Sequence, residues 1–179
     1  MVHLPWPEGL HYIPVFVSQA EEDDLIPHIN ELPWEQVVLF GQIAKRRVVH
    51  FGLHYQYDKR TVHSTTPAPN FLKDVITRGA QLINQPSDAI AEILITEYPL
   101  HAGINWHRDA AVFKEIIGIS LGSSSMIYFR NRHNKKEQVK VLLEQGSAYV
   151  LKDSIRMDWE HRIPPVKTPR YSITLRTLK

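Results

Sequence analysis

His107-Arg108-Asp109 is an H-x-D triplet in a chain that contains no cysteine. On a β-strand, residues i and i+2 point to one face, so the imidazole and the carboxylate can meet a single ion. Without Cys there can be no thiolate-held zinc or iron–sulfur cluster, no thiol nucleophile and no disulfide framework. Any metal must be held by His, Asp and Glu, and His is plentiful at 10 residues. Trp159-Glu160-His161 offers the third ligand, 52 residues after Asp109 and expected at the end of a later strand. Two His and one carboxylate with the remaining positions open is the facial triad of non-haem Fe(II) oxygenases. Taken alone, either His is as readily a satisfied core or surface histidine, and the H-x-D spacing by itself decides little.

The last apolar run adds a second element. Arg170-Tyr171-Ser172-Ile173-Thr174-Leu175-Arg176 alternates strictly, with Arg170, Ser172, Thr174 and Arg176 on one face and Tyr171, Ile173 and Leu175 on the other. One reading is a solvated strand face. The other turns the polar face into a barrel interior, where two guanidiniums are costly unless an anion meets them. A dicarboxylate meets them well, because Arg pairs carboxylates bidentately. A facial triad for Fe(II) beside an Arg pair for a dicarboxylate is the logic of an oxygenase that uses 2-oxoglutarate and O2.

Elements must hold these groups. Ser18-Gln19-Ala20-Glu21 fits a capping box ahead of a short helix with Leu25, Ile26 and Ile29 as its stripe, kinked or ended by Pro27. A longer helix is expected from about Asn70 to Asn84, with Leu72, Val75, Ile76, Gly79 and Ile83 at helical spacing between Pro69 and Pro86. From Glu92 on, the runs are short and rich in β-branched or aromatic residues: Ile93–Tyr98, Ile116–Leu121, Ser125–Phe129, Val139–Leu143, Ala148–Leu151 and Tyr171–Thr177. Turn signals at 100–103, 122–124, 131–136 and 145–146 separate them, as in a sandwich or barrel of antiparallel strands. The expected fold is mainly β with flanking helices, a jelly-roll core in one domain over 1–179. Residues 1–91 form an N-terminal helical and substrate-lid region, and 92–179 form the catalytic core.

Composition narrows the remaining classes. The 179 residues are 43% hydrophobic and 22% charged, which is globular. Twenty-one Lys and Arg against 19 Asp and Glu leave a net charge of +2. Nucleic acid can then be bound only by basic residues gathered locally. Three clusters qualify, Lys45-Arg46-Arg47, Lys59-Arg60 and Arg130–Lys136, and each could equally be a solvated loop. Tyr55, Tyr57 and Trp106 could shape a base pocket, although Trp106 faces away from His107 and is expected in the core. No apolar run approaches the roughly 20 residues of a membrane span, and no signal peptide is evident at the start. The expectation is a monomer with no membrane association, cytoplasmic or, in a eukaryote, nuclear.

The ordered motifs Tyr98…Gly103…Trp106-His107-x-Asp109, then Ile119-Ser120-Leu121-Gly122, Trp159-x-His161 and Arg170-x5-Arg176, resemble the AlkB family of Fe(II)/2-oxoglutarate dioxygenases. The resemblance covers about residues 92–179. More weakly, Arg46-Arg47-Val48, Phe51-Gly52 and Tyr55-x-Tyr57 resemble that family's substrate lid. It implies a double-stranded β-helix, with His107, Asp109 and His161 as iron ligands. It implies Arg170 on the distal carboxylate of 2-oxoglutarate, Arg176 near the 1-carboxylate and Tyr98 as a further partner. Thr96 and Ser172 stand where the family often has Asn, and both can still hydrogen-bond. Phe51, Tyr55, Tyr57, Arg46 and Arg47 are the implied substrate contacts. Ala111 and Val112 replace the acidic residues that help the family's founder read a methylated base. The implied function is oxidation of bases in single-stranded DNA or RNA, tRNA included, by demethylation of N-alkyl groups. The alternative is hydroxylation of tRNA wobble nucleosides or of a protein.

Overall fold

The computed structural model describes residues 6–39, 41–56, 59 and 61–179. In chain order the elements are β1 (Leu10–Ile13), α1 (Gln19–Asn30), β2 (Glu35–Leu39), β3 (Gln42–Gln56), β4 (Thr61–Ser64), α2 (Lys73–Gln81) and β5 (Ile90–Tyr98). They continue with β6 (Ile104–His107), β7 (Phe113–Leu121), β8 (Ser125–Asn131), β9 (Gln138–Leu143) and β10 (Ala148–Leu151). The last are α3 (Asp153–Asp158), β11 (Trp159–Ile163) and β12 (Arg170–Leu178). Eight strands form one sheet in the order β1-β10-β7-β12-β5-β3-β2, with β4 added to β3; four form another in the order β6-β11-β8-β9. All the pairings are antiparallel, and the arrangement is a jelly roll with helices on one side.

Two cores follow from strand alternation. Ile173 and Leu175 of β12, with Ile117 and Ile119 of β7 and Ile93 and Ile95 of β5, pack on Leu25, Ile29, Val75 and Ala80 of α1 and α2. Phe113, Ile127, Phe129, Leu151 and Trp159 fill the space between the two sheets. The opposite face of β12, with Arg170, Ser172 and Arg176, therefore turns into the space between the sheets, and all three are buried. This excludes a solvated strand face.

Several expectations need correction. The capping box forms, with Glu21 N–H donating to Ser18 Oγ at 3.3 Å and Ser18 N–H to Glu21 Oε2 at 2.7 Å, but Pro27 does not end α1, which runs on to Asn30. Pro27 removes one helical donor, and the would-be acceptor belongs to Asp23, which is exposed and can be solvated. The 70–84 helix begins as a 3₁₀ turn over Asn70–Leu72 and ends at Gln81, because Asn84 takes a left-handed φ of 55°. The N-terminal region is not chiefly helical: it holds four strands, and the 15-residue β3 joins the main sheet beside β5. Phe51-Gly52, which resembles part of a substrate lid, is a strand interior of β3. Gly52 has φ 77°, and a Cβ there would stand 2.5 Å from the Ala91 carbonyl oxygen, so only glycine lets the strand lie this close.

Candidate active site

His107 is the last residue of β6, and Asp109 lies just beyond the strand. The i, i+2 argument thus holds for the imidazole, while a loop delivers the carboxylate. Arg156, only 4% exposed, secures that loop by donating Nη2 to the carbonyls of Ala110 and Phe113, each at 2.7 Å. His161 sits in the middle of β11, directly across from His107, rather than at a strand end. The short helix α3 before Trp159 supplies the turn that brings β11 beside β6.

The three side chains meet between the sheets. The two imidazole rings are 4.3 Å apart at their centroids, and His161 Nε2 is 3.6 Å from Asp109 Oδ2. His107 Nδ1 is 2.8 Å from the Asn105 carbonyl, which accepts its proton and leaves Nε2 with a lone pair for a metal. Burial, then the neighbouring His107, holds the His161 pKa down to about 3, so the ring stays neutral and able to ligate. Burial also lowers His107, with the charges of Arg176 and Arg46 adding to it. Burial opposes the charge of Asp109, yet Arg176 and the two imidazoles outweigh it and keep the carboxyl ionised far below the ordinary range. Among the described residues no three such side chains are drawn to full ligand geometry. The Asp109 carboxylate gives its Oδ1 to Arg176 and keeps Oδ2 toward His161. The donor set, two neutral imidazoles and one ionised carboxylate, suits Fe(II).

Arg170 is 1% exposed and pairs across the sheet with Tyr98, whose ring lies 5.1 Å from its guanidinium carbon. Its Nη2 donates to Ser120 Oγ at 2.9 Å, while Nε and Nη1 are buried with no acceptor. A buried guanidinium with two orphaned donors demands an anion, and a carboxylate presents two oxygens in matching geometry. The residues therefore fit 2-oxoglutarate as well as iron. Ser172 faces Thr96 on one side and Ser120 on the other, so hydroxyls line the sheet next to Arg170. Tyr149 of β10 closes the row. Its ring occupies the space that Gly118 leaves open, where a Cβ would stand 2.2 Å from the phenol carbon.

Arg176 is held by the protein's own carboxylates beside the cluster. Its Nη1 donates to Glu92 Oε2 at 2.6 Å and its Nη2 to Asp109 Oδ1, so both terminal nitrogens are engaged by the protein's own carboxylates. Glu92 is fully buried and also meets His50 Nδ1 at 3.0 Å, and His50 stacks on His54 at 3.8 Å. A continuous polar line thus runs from β3 through Glu92 and Arg176 to Asp109.

The expected substrate contacts divide. Arg46 reaches toward the Gly103 carbonyl, 3.5 Å away, and its charge is felt at His107. Tyr55 meets Phe113 edge-on at 6.3 Å on the side of the inter-sheet core. Arg47 lies on the helix side, paired with Glu97 at 2.6 and 2.9 Å and stacked over Trp34. Phe51 is a core residue beneath the helices, placed there by its alternation with Val49, and faces no substrate space. Tyr57 and Arg60 lie outside the described residues. Trp106 is neither core nor pocket but a half-buried ring on the far face of the small sheet. Ser120 stands in a family-like motif but without a role marked by its type, and Tyr149, Glu92, His50 and Arg156 reach the site only through the fold. A lone Gly in the apolar run Ile116–Leu121 was the one signal for Tyr149.

The model of the 2OG-Fe(II) oxygenase superfamily matches residues 9–176. An Acanthamoeba polyphaga mimivirus protein named "Uncharacterized protein L905" is 30% identical over 167 residues, 89% of this chain and 74% of that one. The mouse (Mus musculus) tRNA (carboxymethyluridine(34)-5-O)-methyltransferase ALKBH8 is 30% identical over 171 residues. The match covers 90% of this chain but only 25% of the mouse protein. Among solved structures, that of OsALKBH1 superposes with a TM-score of 0.74 at 13% identity, covering 97% of this chain and 99% of the other.

Proposed function

The chain belongs to the 2OG-Fe(II) oxygenase superfamily, on its AlkB branch, and on that premise we propose that it oxidises N-alkylated bases in single-stranded DNA or RNA. The enzyme is a dioxygenase that depends on Fe(II), 2-oxoglutarate and O2. The observation that carries the reading is the pair of orphaned Arg170 donors on the main sheet, buried on the face that looks into the same inter-sheet space as the His107, Asp109 and His161 cluster.

In this reading His107, Asp109 and His161 hold the iron. Arg170 binds the distal carboxylate of 2-oxoglutarate, aided by Tyr98, Ser120 and the hydroxyls of Thr96 and Ser172. Arg176, anchored by Glu92, keeps Asp109 ionised and aimed. Bound together, iron and co-substrate supply the oxidation of an unactivated C–H bond, with succinate and CO2 released. The apolar packing of Phe113, Phe129 and Trp159 around the cluster excludes water from it. An N-methyl group hydroxylated there decomposes to the free base and formaldehyde. Ala111 and Val112 supply no carboxylate at the two positions where the resemblance places acids that read a cationic base, so that preference is relaxed.

Hydroxylation of a tRNA wobble nucleoside is the second reading. The tRNA named for the mouse relative favours it, although the methyl transfer in that name belongs to a protein of which this chain matches a quarter. Mass spectrometry of nucleosides from total tRNA, and from N-methylated single-stranded oligonucleotides, separates the two after incubation with protein, Fe(II) and 2-oxoglutarate. Loss of N-methyl groups supports demethylation, and a mass gain of one oxygen on a wobble nucleoside supports hydroxylation. Steady succinate formation with every nucleoside unchanged would remove nucleic acid as the substrate.

A further inference from the structure

The face of the four-stranded sheet that points away from His107 and His161 carries a row of side chains across all four strands. Arg162 of β11 lies opposite Tyr128 of β8, Tyr128 lies opposite Lys140 of β9, and Arg162 stacks 5.0 Å from the Trp106 ring of β6. The row thus reads aromatic, cation, aromatic, cation. We propose that it binds the sugar-phosphate backbone of the single-stranded nucleic acid flanking the base presented to the active site. The inference rests on the nucleic-acid reading above and adds to it the surface that holds the strand.

The rings serve as props. Arg130 lies 4.2 Å over Trp106, and Arg162 lies 5.0 Å from both Trp106 and Tyr128, so the rings hold both guanidiniums in place against the sheet. Long cations held this way lose less rotamer freedom when a phosphate arrives. Two of the row's charges are also unspent. Arg130 is taken by Glu160 at 2.6 and 3.1 Å, but among the described residues Arg162 and Lys140 have no carboxylate partner. Arg162 Nε is buried without an acceptor. The adjoining β8–β9 hairpin adds exposed Arg132, Lys135 and Lys136, while its Glu137 is turned to Asn131 and Asn134. A surface with surplus cations and aromatic support matches a polyanionic strand.

Position completes the argument. β6 is the edge of its sheet, paired only with β11 among the described residues. Trp106 and His107 are successive residues on opposite faces of that edge. A strand lying on the row therefore reaches the active-site side by crossing one β-strand. Four strands at roughly 4.8 Å spacing span about 14 Å, room for a few nucleotides.

The test measures binding of a fluorescein-labelled single-stranded RNA, about 12 nucleotides long, to the Mn(II)-loaded protein and to Arg162→Gln/Lys140→Glu. The double variant should bind at least about tenfold more weakly, with a salt slope shallower by about one to two. Its thermal unfolding and its RNA-independent conversion of 2-oxoglutarate to succinate should match wild type. Lys140→Glu alone, at an exposed position, should show a smaller loss in the same direction. Equal affinity and slope in wild type and double variant would overturn this surface while leaving the substrate reading intact. Wild-type protein that binds no nucleic acid would overturn both. Polyglutamate that displaces the RNA at equal charge concentration would also overturn the proposal, in favour of an acidic protein partner.

Discussion

In the proposed reading co-substrate binding turns on Arg170, whose Nε and Nη1 are buried without an acceptor, whereas Arg176 on the same sheet face is held by Glu92 and Asp109. Removing one partner of a buried, hydrogen-bonded charge pair costs about 2–5 kcal/mol, so Arg170→Ala should weaken 2-oxoglutarate binding about 30-fold or more. Arg170→Lys should recover little, since an ammonium cannot replace the fork. Anaerobic titration of the Mn(II)-loaded protein reads both, and unchanged affinity would remove the assignment. Glu92→Gln probes the polar line behind Asp109. It leaves Arg176 with one carboxylate and should cost about 3–5 kcal/mol, a fall of roughly 10 °C in Tm for a chain of this size. Burial opposes ionisation of Glu92, but the His50 hydrogen bond and the Arg176 charge win and hold its pKa below the ordinary value. A carboxyl depressed in the folded state stabilises above its unfolded pKa of about 4.3 and loses that contribution as pH falls through the folded value. The Tm gap between wild type and Glu92→Gln should therefore be full near neutrality and narrow in acid below about pH 4.3. A gap independent of pH would mean that Glu92 is not ionised.

At the scale of elements, Gly118 in β7 and Tyr149 in β10 form one packing unit. The Gly118→Ala methyl would overlap the phenol ring, so the ring must leave the co-substrate face, at a cost of about 1–3 kcal/mol. If that overlap is the cause, Gly118→Ala should cost far less in a Tyr149→Ala background. A double-mutant cycle by chemical denaturation should then give a coupling of about 1–2 kcal/mol, and strict additivity would sink the unit. The same pair marks the limit of what the sequence discloses. β7, β8, β9, β10 and β12 were legible because each is a short β-branched run between turn residues, and β12 announced both faces by strict alternation. β3 was not legible. Its Lys45, Arg46, His50, Gly52 and His54 read as a basic, broken stretch, and it is a strand because β5 on one side and β2 and β4 on the other supply its ladder. Phe51 resembles a substrate contact for the same reason: beside a mid-strand glycine its run gives no alternation that marks a core position. The six-residue α3 has no periodicity to detect, yet it sets where His161 lands. His107, Asp109 and His161 could be named from residue type and order, whereas Glu92, Arg156 and Tyr149 enter only through contacts 42 to 84 residues away in sequence or across strands.

At the scale of the whole molecule, the long β3 is shared by the two cores, and its alternation sends neighbouring arginines to opposite sides of the main sheet. Arg46 turns toward the inter-sheet space, where its charge reaches His107. Arg47 turns to the helix layer, held by Glu97 and laid over Trp34. A basic dipeptide that looks like a single patch in the sequence is thus one residue facing the inter-sheet space and one held against the helix layer. The two substitutions should separate accordingly. Arg46→Glu places an acid near His107 and, in the proposed reading, where the substrate backbone approaches; it should cut oxidation of a methylated single-stranded oligonucleotide at least about tenfold. Its Tm should change little. Arg47→Glu sets two carboxylates together on a half-exposed helix-side surface, and should lower stability by about 1 kcal/mol with turnover at saturating oligonucleotide nearly unchanged. Formaldehyde release and thermal unfolding, measured on both variants side by side, decide the matter. Parallel losses of activity in the two would show that the sheet does not partition the pair, and that the mouth of the site extends over the helix layer instead.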